Sequence, residues 1–72
     1  MVNTPYLEEE IKNSGLKKSF IADKCGITAQ TFTNKLTNKS EFTGSEIKII
    51  SKVLGFSSKK LNDIFFAENV EL

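Results

Sequence analysis

Four short polar side chains recur at helical spacing in the middle of the chain: Gln30, Thr33, Asn34 and Thr37. On a helix, positions three and four residues apart lie on one face. This face has no charge and no large apolar group, and its amides and hydroxyls donate and accept hydrogen bonds. The set therefore favours recognition by hydrogen bonding over bond-making chemistry. A solvated helix surface is the alternative that the spacing alone leaves open.

The residue inventory argues against catalysis and against a metal centre. The 72 residues include no His and a single Cys, Cys25, whereas a structural zinc site takes four Cys or His ligands. Histidine is also the usual proton carrier near neutral pH. The sequence shows no nucleophile–base pair and no phosphate-binding loop. We expect a non-enzymatic protein with no metal, no cofactor and no small-molecule substrate, in which Cys25 fills the core.

Length and composition predict one small soluble domain. A chain of 72 residues has room for a single core, and 39% hydrophobic with 26% charged residues is typical of a globular protein. No apolar run approaches the ~20 residues of a membrane span. The start of the chain lacks a signal-peptide pattern, and a lone cysteine cannot form an internal disulfide. These features predict a cytoplasmic protein without a membrane partner.

Positive charge is concentrated in the middle of the chain. All ten lysines lie between residues 12 and 60 beside three acids, a net charge of +7, whereas residues 1–10 and 61–72 carry −3 each. A basic middle fits a surface that meets a polyanion. A well-solvated surface explains the same pattern equally well.

Apolar residues at helical spacing, punctuated by glycines, predict an all-α domain of five helices. Thr4 is the predicted N-cap of the first helix, which ends at Gly15. The second is predicted from Leu16 or Lys17 to Cys25. Its predicted inward side chains are Phe20, Ile21 and Ala22.

Three further helices are predicted, each beginning at a polar cap. Thr28 caps the third helix, Thr43 opens the fourth with a capping box, and Ser57 or Ser58 caps the fifth. The predicted inward residues are Phe32, Leu36, Ile47, Ile50, Val53, Leu54, Leu61, Ile64 and Phe65. Residues 1–66 are thus predicted to form the domain, and residues 67–72 a short acidic tail.

The turn between the second and third helices carries the most specific pattern. Ala22, Gly26, Ile27 and Phe32 give the spacing Ala-x-x-x-Gly-Ile-x-x-x-x-Phe. A tight turn between crossed helices needs a residue with φ above zero, which glycine adopts without strain. The small Ala22 lets the helix backbones approach, and Ile27, Phe32 and Leu36 fill the space between them. This is the packing pattern of a helix-turn-helix.

This motif, over about residues 17–37, resembles the helix-turn-helix of the Cro/repressor type, the XRE-like family of phage and bacterial regulators. The resemblance covers roughly residues 6–66. With Lys17-Lys18-Ser19 before Ala22 and residues 38–43 after the third helix, the chain is similar to the short Cro-like modulator-of-repression proteins of temperate lactococcal phages. The resemblance implies a regulator of a lysis–lysogeny switch in the cytoplasm of a bacterial host.

The same resemblance implies that the third helix enters the major groove of double-stranded operator DNA. The expected base-reading residues are Thr28, Gln30, Thr31, Thr33 and Asn34. Glutamine and asparagine can pair with adenine at N6 and N7, and threonine can touch a thymine methyl group. Because the chain has no arginine, the commonest guanine contact is missing, and we expect a readout that leans toward A·T.

Phosphate contacts are expected from lysines around the third helix. Lys18 occupies the motif position where the family often has a glutamine that contacts the DNA backbone. Lys39 matches the position of another usual phosphate contact. Weaker candidates, expected to be solvated surface residues, are Lys17, Lys24 and Lys35. A net charge of +1 is low for a protein that must neutralise phosphates. This favours an alternative function, an antirepressor that complexes a cognate repressor and binds little DNA itself.

Phe65 and Phe66, at the end of the last helix, are the candidate protein interface. Adjacent helix residues point about 100° apart, so we expect one ring to be partly exposed. Exposed aromatic rings favour interfaces, and the partners expected here are the cognate repressor and a second copy in a weak homodimer. The alternative left open is that both rings cap the core.

Overall fold

The computed structural model describes residues 2–66, which form five helices and, within that range, no strand. The helices are α1 (Thr4–Ser14), α2 (Lys18–Lys24), α3 (Ala29–Leu36), α4 (Gly44–Leu54) and α5 (Ser58–Phe65). Helix α2 packs on α3 and α4, and α1 packs on α4 and α5. The predicted all-helical fold is confirmed over this part of the chain, and the predicted acidic tail, residues 67–72, lies outside it. No helix among these five is long and apolar enough to cross a membrane.

Side-chain caps begin four of the helices. Three of them were predicted, and each accepts a hydrogen bond from the backbone N–H three residues later: Thr28, Thr43 and Ser57. The predicted cap of α1, Thr4, is wrong, because Thr4 is already helical. Asn3 takes the role, and its Oδ1 accepts from the N–H of Tyr6 at 3.2 Å. Asparagine caps at least as well as threonine, so Asn3 can be the N-cap and α1 begins one residue earlier than predicted.

Helix α2 is shorter than predicted at both ends. It begins at Lys18 because Lys17 is extended, with φ −79° and ψ 146°, and forms no side-chain cap. It ends at Lys24, and the chain then turns through Gly26, where φ is +75°. An added Cβ at Gly26 would meet nothing within 4 Å. Backbone conformation, not lack of space, is what requires glycine at this turn.

An aromatic row crosses the core. The ring of Phe42, in the loop before α4, meets Phe32 edge-on at 6.0 Å and Phe65 edge-on at 5.7 Å between centroids. The largest fully buried side chains of the core are Leu7, Ile21, Phe32, Ile50 and Ile64. Four predicted inward residues of α4 and α5 are only half-buried, although they pack against this core: Ile47, Val53, Leu54 and Leu61.

Phe20 lies outside the core, so its predicted inward position is wrong. Its ring is 43% exposed, while Ile21 and Ala22 beside it are buried. Three consecutive helix residues span about 200° and cannot all face one core. The ammonium of Lys24 lies 5.3 Å from the Phe20 ring centroid, a cation–π contact that partly covers the exposed ring.

The two ends of the described chain are bonded to each other. The N–H of Asn3 donates to the carbonyl of Ile64 at 2.7 Å. Lys60 Nζ on α5 donates to Glu10 Oε1 on α1 at 3.2 Å. These contacts place α5 on α1 and close the domain on the side built from its two terminal helices.

Close packing of α2 predicts that a larger side chain at Ala22 will destabilise the fold. Ala22 is 1% exposed, and Ala22→Leu should lower the free energy of unfolding by about 1–3 kcal/mol through overpacking. Ala29→Leu is the matched control, because Ala29 is exposed on α3. Urea unfolding of both variants measures the difference. Equal midpoints for Ala22→Leu and the wild type would contradict tight packing at this position.

Candidate functional site

The exposed face of α3 brings the predicted polar residues together. Phe32 and Leu36 are buried on the inner side of the helix. On the other side, Gln30, Thr33 and Thr37 are exposed and Asn34 is half-buried. The face is therefore an accessible, uncharged strip of amides and hydroxyls on an eight-residue helix.

Side-chain hydrogen bonds organise this strip. Gln30 Nε2 donates to Asn34 Oδ1 at 3.1 Å, so the two amides are joined across one helical turn. At the start of the helix, Thr28 Oγ1 donates to Thr31 Oγ1 at 2.9 Å and accepts from the N–H of Thr31 at 3.1 Å. The hydroxyl of Thr37 turns back to the carbonyl of Thr33 at 3.0 Å. The amide pair and the Thr28–Thr31 pair are thus held in defined positions.

The turn before α3 sets the position of its N-terminus. The N–H of Ile27 donates to the carbonyl of Ala22 at 3.1 Å, and that of Gly26 to the carbonyl of Asp23 at 3.0 Å. Ile27 is half-buried and packs against the core. The motif residues thus hold the start of α3 against the end of α2.

The end of α3 is held by an ion pair that the sequence patterns did not predict. Lys35, expected to be a solvated surface lysine, is 8% exposed, so that prediction is wrong. Its Nζ donates to Glu46 Oε1 at 2.6 Å and to the carbonyl of Glu41 at 3.1 Å. Lys35 lies in the last turn of α3, and its bond to Glu46 directs its side chain toward the first turn of α4. The only sequence signal for this contact was Glu46, the third residue of the predicted capping box.

Glu46 serves the cap and the ion pair with one oxygen. Oε1 also accepts the backbone N–H of Thr43 at 2.9 Å, and Thr43 Oγ1 accepts the N–H of Glu46 at 3.2 Å. Burial alone would raise the pKa of the Glu46 carboxyl, but the hydrogen bonds from Lys35 and Thr43 outweigh it and the pKa is lowered.

Cys25 sits in the same neighbourhood and is half-buried. Burial raises the pKa of its thiol, and the negative charge of Glu46 raises it further, against a smaller opposite effect of Lys35. A thiol with a raised pKa holds its proton at neutral pH and reacts slowly. Its packing against the core agrees with the predicted role as core filler.

The two lysines predicted to contact phosphate have different surroundings. Lys18 Nζ lies 3.0 Å from Glu8 Oε1, and the two side chains are 47% and 42% exposed. Lys39 is exposed in the loop after α3. Its N–H donates to the carbonyl of Asn34 at 2.8 Å, and Asn38 before it has φ +65°. This left-handed residue turns the chain sharply away from α3 and presents Lys39 beside the helix end.

The two C-terminal rings separate as the helical spacing predicted. Phe65 is 3% exposed and packs on Phe42, whereas Phe66 is 55% exposed. The alternative in which both rings cap the core is therefore wrong. Phe65 contributes little accessible surface, so of these two rings Phe66 is the one available to contact a partner.

Comparisons with protein-family models, curated proteins and solved structures found no significant match to this chain. The resemblance of the α2–turn–α3 unit to Cro/repressor-type regulators thus depends on its own motif residues. It stays a prediction, as do the DNA-reading and phosphate-binding roles inferred from it.

The buried ion pair predicts that removing one partner destabilises the fold much more than removing both. Lys35→Met leaves the Glu46 carboxylate buried without its cation, which should cost about 3 kcal/mol of stability. Lys35→Met with Glu46→Gln removes both charges and keeps a capping side chain, and should recover much of the loss. Lys59→Met, which breaks the exposed pair with Asp63, is the control and should melt near the wild-type temperature. Equal losses for the single and double variants would contradict this account.

The lowered pKa of Glu46 predicts a specific dependence on pH. Its folded pKa lies below the unfolded value of about 4.3, so its contribution is present above that pH and is lost as the pH falls through the folded value. Urea unfolding at several values between about pH 7 and pH 3 measures this effect. The free energy of unfolding should fall more steeply with acid in the wild type than in the variant with both Lys35→Met and Glu46→Gln. Parallel pH profiles would show that Glu46 is not a principal source of acid sensitivity.

Proposed function

We propose that this protein is a phage-type transcriptional regulator of a lysis–lysogeny switch, which binds operator DNA through α3 in the cytoplasm of a bacterial host. The observation that carries the proposal is the accessible, uncharged amide and hydroxyl strip of α3, held at one end by the Gly26 turn and at the other by the Lys35–Glu46 pair. A short helix with such a face suits hydrogen bonding to base edges in the major groove.

The amide pair is the proposed centre of base reading. With Gln30 Nε2 bonded to Asn34 Oδ1, the oxygen of Gln30 and the nitrogen of Asn34 remain available to accept and to donate. An adenine edge offers the matching donor at N6 and acceptor at N7. Thr28 and Thr31, at the N-terminal end of α3, would meet adjacent bases or thymine methyl groups. The proposed preference is therefore for A·T pairs.

Phosphate contacts are few in this proposal. Lys39 is exposed in the loop after α3 and is the leading candidate. Lys18 shares its charge with Glu8 and would have to exchange that carboxylate for a phosphate. Two such contacts support modest binding with a log–log salt slope of only about two.

The second candidate function is that of an antirepressor, whose main target is a cognate repressor. Two observations favour it: the Lys18–Glu8 pair weakens one expected phosphate contact, and Phe66 exposes an aromatic ring. In this antirepressor reading the protein complexes the repressor and binds little DNA itself. One experiment separates the functions, a mobility shift of an operator fragment with the protein alone and with the repressor added. A shift only with repressor, together with co-elution at micromolar protein, favours the antirepressor.

Substitution of the amide pair should remove sequence preference without unfolding the protein. Gln30→Ala with Asn34→Ala deletes one exposed and one half-buried side chain, whose mutual hydrogen bond contributes about 0.2–0.5 kcal/mol to stability. Loss of the bidentate base contact that the two amides share should cost about 1–3 kcal/mol of discrimination. Selection from a randomised duplex pool measures the preference. The matched control is Asn13→Ala with Asn62→Ala, which removes two exposed amides from α1 and α5.

An unchanged sequence preference in the Gln30–Asn34 variant would remove α3 from the functional surface. A preference lost equally in the Asn13–Asn62 control would point to a general change in the fold. Thermal melting of both variants identifies that case.

The small number of phosphate contacts predicts a shallow salt dependence. Each phosphate neutralised steepens the log–log dependence of the association constant on salt by about 0.9, so two or three contacts give a slope near two or three. Lys39→Ala should reduce the slope by about 0.9, whereas Lys59→Ala on α5 should not change it. Fluorescence anisotropy with a labelled duplex at several salt concentrations measures both. A wild-type slope near seven would require many more contacts than Lys18 and Lys39 provide.

A further inference from the structure

The first residue of α2 is paired with a carboxylate of α1. Lys18 Nζ lies 3.0 Å from Glu8 Oε1, and the two side chains are 47% and 42% exposed. This pair joins two different helices, unlike the Lys59–Asp63 pair, which links two turns of α5. It lies at the surface, where an external anion can reach the Lys18 ammonium.

Buried neighbours fix the backbone on both sides of this ion pair. Glu8 follows Leu7, which is fully buried on α1, and Lys18 lies one turn before the buried Ile21 and Ala22 on α2. Formation of the pair therefore restricts only the two side chains, and no loop has to be ordered at the same time. The carboxylate is thus held within reach of the ammonium by the packing of the core.

A recess beside the pair collects four charged side chains. It has a volume of about 400 Å³, and its lining includes Glu8, Glu9, Lys12 and Lys18. Two carboxylates and two ammonium groups cancel in net charge. This corner of the surface therefore offers little net attraction to a polyanion, although it contains two of the ten lysines.

A carboxylate and a phosphate offer lysine the same kind of contact. Each is an anion whose oxygens accept short, charge-assisted hydrogen bonds from an ammonium group. Lysine binds both as a compact point charge. Its three donors could reach two anions at once, but a phosphate beside Lys18 would then be repelled by the Glu8 carboxylate. Full contact between Lys18 and a phosphate therefore requires that Glu8 move away.

We propose that Glu8 is an internal competitor for phosphate, whose carboxylate occupies Lys18 and lowers the affinity of this surface for a polyanion. This role of Glu8 rests on the proposed function, which makes Lys18 a phosphate contact. It assigns a part in binding to α1, outside the unit formed by α2 and α3. Lys39 is exposed and forms no ion pair among residues 2–66, so the competition acts on only one of the two phosphate contacts.

The exposure of the pair sets the size of the effect. Partly exposed ion pairs are weak, and salt screens them further. Removal of the Glu8 charge should therefore raise the association constant for duplex DNA by about two- to fivefold at low salt. The gain should shrink as salt is added, because screening weakens the internal pair as well as the contact with phosphate.

The test compares Glu8→Gln with Glu9→Gln. Both substitutions remove one negative charge from α1, but Glu9 is exposed and forms no ion pair within residues 2–66. Fluorescence anisotropy with a labelled duplex of random sequence measures binding, since phosphate contacts carry no sequence information. We expect Glu8→Gln to bind about two- to fivefold more tightly than the wild type and more tightly than Glu9→Gln. Thermal melting checks that both variants are folded.

The same substitutions in a Lys18→Ala background show whether Glu8 acts through Lys18. There, Glu8→Gln should gain no more than Glu9→Gln, whereas in a Lys39→Ala background the full gain should remain. An equal gain with and without Lys18 would mean general repulsion of DNA by Glu8 and would overturn the proposal. Equal affinities of Glu8→Gln and Glu9→Gln in the otherwise unchanged chain would overturn it too.

A second measurement uses inorganic polyphosphate in place of DNA. The NMR signals of the Lys18 methylene next to Nζ report contact with the added anion. They should respond at a lower polyphosphate concentration in Glu8→Gln than in the wild type or in Glu9→Gln. Equal midpoints in all three proteins, or no response of Lys18 in Glu8→Gln, would overturn the competition.

Failure of this inference and failure of the proposed function give different results. A lower midpoint for Glu8→Gln with polyphosphate, combined with no binding of duplex by any variant at low salt, would remove only the proposed function. Binding of duplex by the wild type with equal polyphosphate midpoints would remove only the role of Glu8.

Discussion

The position of α3 depends on one carboxylate oxygen. Glu46 Oε1 accepts hydrogen bonds from the backbone N–H of Thr43, the N-cap of α4, and from the ammonium of Lys35, in the last turn of α3. Lys35 also bonds the carbonyl of Glu41, so the connecting loop is tied to the same point. A buried charge with these partners tolerates little displacement, because loss of the contact with Lys35 would leave the carboxylate buried without its cation. The direction in which the polar face of α3 points follows from this junction.

The opposite end of α3 is held by backbone geometry. Gly26 supplies the left-handed turn, and the small Ala22 is buried where α2 packs. Between the two ends, Phe32 anchors the middle of the helix and meets Phe42 in the aromatic row. A short helix has little stability of its own, since most helical stability in proteins comes from tertiary packing. Three fixed points along eight residues explain how α3 can expose a polar face and remain in place.

Local signals were readable from the sequence, and long-range ones were not. Thr28 and Thr43 were identified as caps, and Ser57 as one of two candidates beside Ser58, because a cap involves only residues three positions apart. Asn3 was missed because two adjacent residues, Asn and Thr, could both cap α1. Lys35 was taken for a surface residue because its partner lies eleven positions away and burial of a lysine leaves no periodic trace. Helical spacing favoured exposure of one of Phe65 and Phe66, but only the packing of α5 decided that Phe66 is the exposed ring.

The bond between Gln30 and Asn34 has an entropic consequence. A free glutamine side chain loses about 1.5–2 kcal/mol of rotamer freedom when it is immobilised. In this protein part of that loss has already occurred, because Gln30 Nε2 is held to Asn34 Oδ1. A ligand that uses the remaining oxygen of Gln30 and nitrogen of Asn34 meets groups that are already ordered, whereas a ligand that needs the bonded atoms must first separate them. The α3 face is therefore ordered in advance for one arrangement, a group that donates to the oxygen of Gln30 and accepts from the nitrogen of Asn34.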